Sequence, residues 1–333
     1  MGPSRPGHFQ ATRDLAPRAE GQFTSEIGSA MKEGSQVAFA VVQQVINGLA
    51  LGGIYSLIAI GWTTVFGIVG VINWTHGEVY MIGAFAGYFA VALLHLSLLP
   101  ALAVSLIVSG CVAMSIDRFC YRPLRTAPRV ALLITALGVS MFLRYLCAAL
   151  WTPDPRAYPK VLNYSLIRLF SLGGQAVTIN SMHLTIVLLT LLIMAGLEIF
   201  LATSKVGKAM LAASQDFETI GLMGVEANKL IAVTFFISGA LGGAAGVFVG
   251  VLYDVDPMMG ALAGLKGWVV AILGGVGSIT GSLIAGIVLG ILESLVSGFV
   301  STGYRDAIGF VIMIIVLLVK PTGLLGFKFE EKV

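Results

Sequence analysis

The sequence predicts an all-α membrane protein, a bundle of about eight or nine transmembrane helices. Three observations predict it. Of the 333 residues 57% are hydrophobic, only 11% are charged, and apolar runs of spanning length recur along the chain. An ordinary soluble domain has about 25% charged residues, so this chain has too few charges to cover a water-exposed surface. The net charge of +3 is too small to indicate nucleic acid as a partner.

The elements follow from the length that a spanning helix needs, about 20 apolar residues. Residues 1–36 are polar and predict an N-terminal extension without fixed structure. Residues 37–327 form the predicted transmembrane domain, and 328–333 form a polar C-terminal tail. The apolar runs within the domain cover 37–72, 79–99, 101–116, 130–151, 182–202, 230–252, 260–274, 281–300 and 307–319.

The first run, 37–72, is too long for one crossing at 1.5 Å per residue and too short for two. It also contains six glycines. We therefore predict one full helix followed by a broken or re-entrant half-helix, with the irregular Gly-rich segment near 60–78. Such backbone is tolerated at membrane depth only where protein or a cavity surrounds it.

The distribution of Lys and Arg predicts the orientation. These residues collect in 117–129, in 203–229 and after residue 319, and are sparser in the alternate loops. The basic segments, together with 73–78, are therefore expected to face the cytoplasm. The loops 152–181, 253–259 and 301–306 are expected to be external. This asymmetry leaves the side of the N-terminus open.

Asn73, His76 and Glu78 form a polar segment between two apolar runs. One interpretation is an interfacial turn in which Asn73 or Thr75 caps the helix that follows. The other is a pore-lining or gating element with His76 and Glu78 facing a cavity, since ionisable groups within membranes are commonly functional.

Lys266 and Glu293 lie inside apolar runs, where an unpaired charge is costly. Either the two pair with each other, or Lys266 pairs with Glu78. A structural ion pair between helices is favoured over a group that lines the translocation path. Arg144 and Glu198 lie near predicted helix ends and are expected to extend to the membrane surface.

An amphipathic helix is predicted within the loop 203–229. Apolar residues recur there at intervals of 4, 3, 4 and 3, which is typical of one helix face, while Lys208 lies off that stripe. Thr203 or Ser204 can cap its start and Gly221 can end it. The helix either rests on lipid headgroups or docks into a groove on a cytoplasmic partner. The stripe consists of Val206, Met210, Ala213, Phe217 and Ile220.

The sequence contains no phosphate-binding G-x-x-x-x-G-K-[ST] motif and no H-E-x-x-H or G-x-S-x-G motif. We therefore predict no catalytic, cofactor or metal site in this chain. The energy for transport is expected to come from another subunit.

Several segments resemble the permease family of high-affinity branched-chain amino acid ABC transporters, in particular its LivH type. The resemblance covers about residues 40–333. Trp74 and Thr75 stand where the family usually has Phe and Ala. The segments that carry the resemblance are QQVINGLALGGIYSLIAIG at 43–61, TVFGIVGVIN at 64–73, HGEVYMIG at 76–83, YRPLR at 121–125, LGGVGSI at 273–279 and PTGLLG at 321–326.

The resemblance implies import of Leu, Ile and Val across a bacterial inner membrane. It implies a second, homologous permease subunit, two cytoplasmic ATPase subunits that bind ATP and Mg²⁺, and a periplasmic substrate-binding protein. The segment 204–226, which includes Gly224, would be the coupling loop to an ATPase. Two alternatives stay open: a permease for another small solute such as urea or a short amide, and an ion-coupled secondary transporter.

Overall fold

A computed structural model describes residues 16–159, 161, 165–172, 175–217, 220–221 and 224–325, with side chains except those of 16–33, Arg129 and Leu172. Each of the nine predicted apolar runs contains a helix in this part of the chain, and the run 79–99 also includes the turn 93–97 between two helices. The helices are α1 (Ala16–Val69), α2 (His76–Ala92), α3 (Leu98–Ile116), α4 (Arg129–Trp151), α5 (Ser181–Thr203), α6 (Lys205–Gln215), α7 (Ala227–Leu252), α8 (Met259–Gly274), α9 (Ile279–Phe299) and α10 (Arg305–Val319).

Seven of these helices are long and apolar enough to cross a membrane. The apolar helices α2 and α8, with 17 and 16 residues, are not among the seven. Helix α10 is counted together with the turn that precedes it, as the 18-residue segment Thr302–Val319. The predicted fold class, a polytopic helical membrane protein, is confirmed. Four short strands were not predicted. β1 (Arg156–Ala157) pairs antiparallel with β4 (Asp254–Val255), and β2 (Leu166–Leu172) pairs antiparallel with β3 (Gln175–Asn180).

The irregular segment predicted near 60–78 lies at 70–75, between α1 and α2. The expected full helix and half-helix before it are wrong, because α1 runs without interruption to Val69. Gly70 ends α1 with a positive φ of 69°, and its N–H donates to the Phe66 carbonyl at 2.8 Å. The predicted boundary at residue 36 also falls inside α1, whereas 328–333 lie outside the described residues.

The glycines that suggested a break are instead contact points between helices. Gly48 and Gly52 of α1 cross Gly286 and Gly290 of α9, so each helix contributes two glycines that are four residues apart. A Cβ at Gly52 would lie 2.6 Å from the Cα of Ile287. Small residues at this spacing let two backbones approach closely within a membrane, where packing replaces the hydrophobic effect.

The loops lie at two ends of the bundle. The α6 end comprises 70–75, 117–128, α6, 275–278 and 320–325. Its parts touch one another: Tyr121 donates to Asn73 at 3.0 Å, and the Leu324 N–H donates to the Leu273 carbonyl at 2.8 Å.

The opposite end, the hairpin end, comprises 93–97, 152–159, the β2–β3 pair, 253–258 and 300–304. The Gln43 side chain donates to the Thr178 carbonyl at 2.8 Å and accepts from the Thr178 N–H at 3.2 Å. The membrane-spanning part of α1 therefore starts at the hairpin end, which the loop charges alone did not place.

Candidate functional site

Lys266 and Glu293 pair with each other in the interior of the bundle. The Lys266 ammonium donates to Glu293 Oε2 at 2.9 Å and forms a second ion pair with Asp306 Oδ1 at 2.7 Å. Glu293 is fully buried and Lys266 is 7% exposed. Of the two pairings weighed for Lys266, the structure has the one with Glu293, and Glu78 lies elsewhere.

Two further side chains complete this group, here called the charge cluster (Tyr55, Lys266, Glu293, Arg305 and Asp306). The Tyr55 hydroxyl donates to Glu293 Oε2 at 2.7 Å and accepts from Lys266 at 2.9 Å. Arg305 Nε donates to the same carboxylate oxygen at 3.1 Å. The cluster joins α1, α8, α9 and α10, and its two cations balance its two carboxylates. A buried carboxylate is tolerated when it is paired and hydrogen-bonded in this way.

Glu78 has its own partners on α4. Its Oε1 accepts from Arg144 Nη2 at 2.5 Å, from Arg144 Nε at 3.1 Å and from the Ser140 hydroxyl at 3.0 Å. The expectation that Arg144 extends to the membrane surface is therefore wrong, because this residue lies one turn after Ser140 and faces α2. The second Glu78 oxygen is buried without a hydrogen-bond partner among the described residues, close to Gly260.

His76 and Asn73 are also buried, at 1% and 2% exposure. His76 Nδ1 lies 3.2 Å from the Ser238 hydroxyl, and a Cβ at Gly61 would come within 2.5 Å of the imidazole. Asn73 Oδ1 accepts from the Thr75 hydroxyl at 2.5 Å and from Tyr121 at 3.0 Å. Neither Asn73 nor Thr75 caps α2 with its side chain, so that expectation is wrong. Asn73 instead fastens the 70–75 segment to the loop before α4.

The helix expected in the loop 203–229 is present as α6, at the end of the bundle. Ser204 caps it, since its hydroxyl accepts from the Gly207 N–H at 2.8 Å. The helix ends at Gln215, earlier than the predicted Gly221, because Asp216 adopts extended backbone. Phe217 and Ile220 therefore lie beyond the helix, as does Gly224, which has a φ of 74°.

The predicted apolar stripe of α6 divides into two halves. Met210, Ala213 and Ile220 are buried against the chain's own bundle, at 1–3% exposure. Val206 and Phe217 are 39% and 38% exposed, and Lys208 is exposed as well. Within the stripe, Val206 and Phe217 are therefore the residues that another protein can contact.

Residues 44–317 match the family model described as branched-chain amino acid transport system, permease component. The chain belongs to this permease family. The permease is 40% identical over 301 residues to the transport system permease protein BraD of Pseudomonas aeruginosa, covering 88% of this chain and 98% of the relative. It is also 40% identical to the permease protein LivH of Escherichia coli K12, and this match covers 88% of this chain and 97% of the relative. The probable LivH permease of Methanocaldococcus jannaschii is 27% identical to this chain, and the match covers 83% of this chain and 89% of the relative.

The fold of the permease is also similar to that of a solved structure described as a metal-chelate type ABC transporter in an inward-facing conformation. The TM-score is 0.50 at 15% identity, and the match covers 87% of this chain and 99% of the other. At this identity the likeness concerns the fold alone.

Sequence reasoning about the permease missed Tyr55, Ser140, Arg305 and Asp306 as partners of its buried charges. Arg305 and Asp306 stand at the start of α10, where charged residues are ordinarily interpreted as solvent-exposed. A signal was nevertheless present. If Lys266 and Glu293 balance each other, Glu78 needs another cation, and Arg144 lies within the apolar run 130–151.

Proposed function

We propose that this permease is the membrane-spanning subunit of an ABC importer for the branched-chain amino acids Leu, Ile and Val in a bacterial inner membrane. Its curated relatives are named as branched-chain amino acid permeases and match nearly their whole length. The observation that carries the ABC mechanism is α6. This helix lies outside the spanning helices and is fixed by a cap and by buried Met210. It presents Val206 at the surface, and Phe217 is exposed two residues after its end.

In this proposal the α6 end faces the cytoplasm and the C-terminus lies on that side. The Lys/Arg distribution supports this orientation, because the basic residues of 117–128, α6 and 320–325 share one end of the bundle. The hairpin end then faces the periplasm, together with the start of the spanning part of α1.

The orientation predicts the accessibility of two exposed positions. In a variant without Cys111, Cys120 and Cys147, a membrane-impermeant maleimide is expected to label Ser171→Cys, on β2, in intact spheroplasts. Arg122→Cys, at the α6 end, is expected to react only after permeabilisation. Labelling of position 122 in intact spheroplasts would show that the orientation is inverted.

The partners follow from the same proposal. A second, homologous permease subunit completes the membrane part, and two cytoplasmic ATPase subunits bind ATP and Mg²⁺ and contact α6. A periplasmic binding protein delivers the amino acid at the hairpin end. The apolar residues that remain exposed on α4, α5 and α10 face lipid or the second permease.

Phe217→Asp is expected to uncouple transport while leaving the permease folded. A central apolar anchor in a protein interface commonly contributes about 2 kcal/mol or more, and Phe217 is accessible without supporting the bundle. Retention of ATPase subunits and substrate-stimulated ATP hydrolysis in the reconstituted complex measure the effect. Both should fall to background.

Met210→Ala, on α6 itself, provides the comparison for Phe217→Asp, which lies two residues beyond the end of that helix. Met210 is buried against the bundle, so this variant should lower the melting temperature of the permease itself. Such a truncation in a core ordinarily lowers the free energy of unfolding by about 2–5 kcal/mol. Phe217→Asp should leave that temperature unchanged. Full ATPase retention and hydrolysis in Phe217→Asp would contradict the docking role of this surface.

A further inference from the structure

A polar recess lies at the hairpin end, between α1, α5, α7, α9 and α10. Its volume is about 210 Å³. Drug-sized ligands occupy pockets of about 300–1,000 Å³ and a water molecule takes about 30 Å³, so the recess suits a molecule of amino-acid size. Its polar lining includes Gln44, Asn47, His183, Tyr253, Ser297 and Arg305.

The recess contains polar groups that the protein leaves ready for a ligand. His183 Nδ1 is buried and has no hydrogen-bond partner among the described residues. Buried polar atoms are ordinarily paired, and the imidazole that carries this nitrogen is part of the recess lining. Gln44 is already fixed, because its Oε1 accepts from the Ser294 hydroxyl at 2.8 Å.

Arg305 connects the recess to the charge cluster. Arg305 Nε donates to Glu293 Oε2 at 3.1 Å, and Nη2 donates to the Tyr55 hydroxyl at 3.5 Å. The guanidinium carbon lies 5.8 Å from the centre of the Tyr253 ring. A guanidinium fixed in this way matches the planar geometry of a carboxylate.

The charge balance of the cluster favours a ligand without net charge. Lys266 and Arg305 are offset by Glu293 and Asp306, so adding a lone anion or a lone cation would leave an unbalanced charge at the edge of the bundle. A zwitterion brings one charge of each sign and keeps the balance.

We propose that this recess is a transit site for a single zwitterionic α-amino acid. The carboxylate binds Arg305, the ammonium group binds the side-chain oxygens of Asn47 and Ser297, and the apolar side chain packs on Leu51 and Leu252. This proposal rests on the proposed function and deepens it, because it places a substrate contact within this chain.

The test fills the recess in the complete transporter, reconstituted in vesicles with its ATPases and binding protein. Ser297→Leu is expected to lower leucine uptake about tenfold or more while basal ATP hydrolysis and subunit assembly stay normal. Val288→Leu is the control, since it enlarges an exposed side chain on the same helix outside the recess. Wild-type leucine uptake by an assembled Ser297→Leu transporter would overturn the proposal.

A second variant applies if Ser297→Leu fails to assemble. Asn47→Leu keeps the branched shape of the side chain and removes the oxygen that binds the ammonium group of the ligand, so leucine uptake should again fall about tenfold. Normal uptake in this variant would overturn the proposal that the recess is a transit site and would leave the proposed function intact. A wild-type transporter that moves another solute but no Leu, Ile or Val would instead overturn the proposed function, and the recess with it.

Discussion

Gly52→Leu is expected to abolish the folded permease. At this position α1 and α9 touch backbone to backbone, and a Cβ would lie 2.6 Å from Ile287 Cα and 3.0 Å from the Gly286 carbonyl oxygen. No rotamer relieves a clash at the Cβ itself. The two helices would have to separate, and Tyr55 on α1 would then move away from Glu293 on α9. Extra bulk in a packed core ordinarily costs about 1–3 kcal/mol, and a clash between backbones that cannot repack should exceed that range.

Gly138→Leu and Gly196→Leu are the matched controls. Both glycines lie within spanning helices, and a Cβ at either would meet no atom within 4 Å. These two variants make the same chemical change on a free face and should keep the yield of monodisperse protein and the melting temperature in detergent. If Gly52→Leu were as stable as these controls, the close approach of α1 and α9 would not support the fold.

Hydropathy was sufficient to predict the helices, for a physical reason. A lipid environment requires each spanning segment to satisfy its own backbone hydrogen bonds, so an apolar run of adequate length has few alternatives to a helix. The same argument fails outside the bilayer. Strand β2 has exposed apolar residues such as Leu166 and Phe170, and neither β2 nor β3 has spanning length, so the two strands were not predicted.

Glycine has two roles that composition alone does not separate. Gly48 and Gly52 are four residues apart, and so are Gly286 and Gly290. This spacing was the available signal for a close crossing of helices. Gly70 differs because it follows the last turn of α1 and adopts a positive φ. Only the partner helix distinguishes a contact glycine from one that ends a helix.

The site was only partly predictable. The periodicity of apolar residues identifies the apolar face of a helix, but it does not show which part of the protein, or which partner, covers that face. The helix α6 was predicted, but it ends before two residues of the predicted stripe, and Met210 and Ala213 cover the chain's own bundle while Phe217 stays accessible. Charges in apolar runs had to find partners, which indicated Lys266 and Glu293. Glu78 and Arg144 are 66 positions apart, and their meeting depends on how α2 packs against α4.

The charge cluster predicts an order of stability among three variants. Glu293→Gln leaves Lys266 and Arg305 facing a single carboxylate, that of Asp306, whose side chain is 48% exposed. Removing one member of a buried ion pair costs about 3–5 kcal/mol. Lys266→Met should cost less, about 1–3 kcal/mol, because the Glu293 carboxylate keeps its hydrogen bonds from Tyr55 and Arg305.

The double variant Lys266→Met with Glu293→Gln should recover stability relative to Glu293→Gln alone. It leaves one cation and one carboxylate, Arg305 and Asp306, whose side chains are 26% and 48% exposed, so the cluster is again balanced and neither remaining charge is fully buried. Melting temperature and the yield of folded protein in detergent measure this order for the two single variants and the double. If the double variant melts no higher than Glu293→Gln, the unpaired Lys266 is not the source of the loss. The stability of the cluster would then depend on the Glu293 carboxylate as acceptor for Tyr55 and Arg305, and not on the balance of its charges.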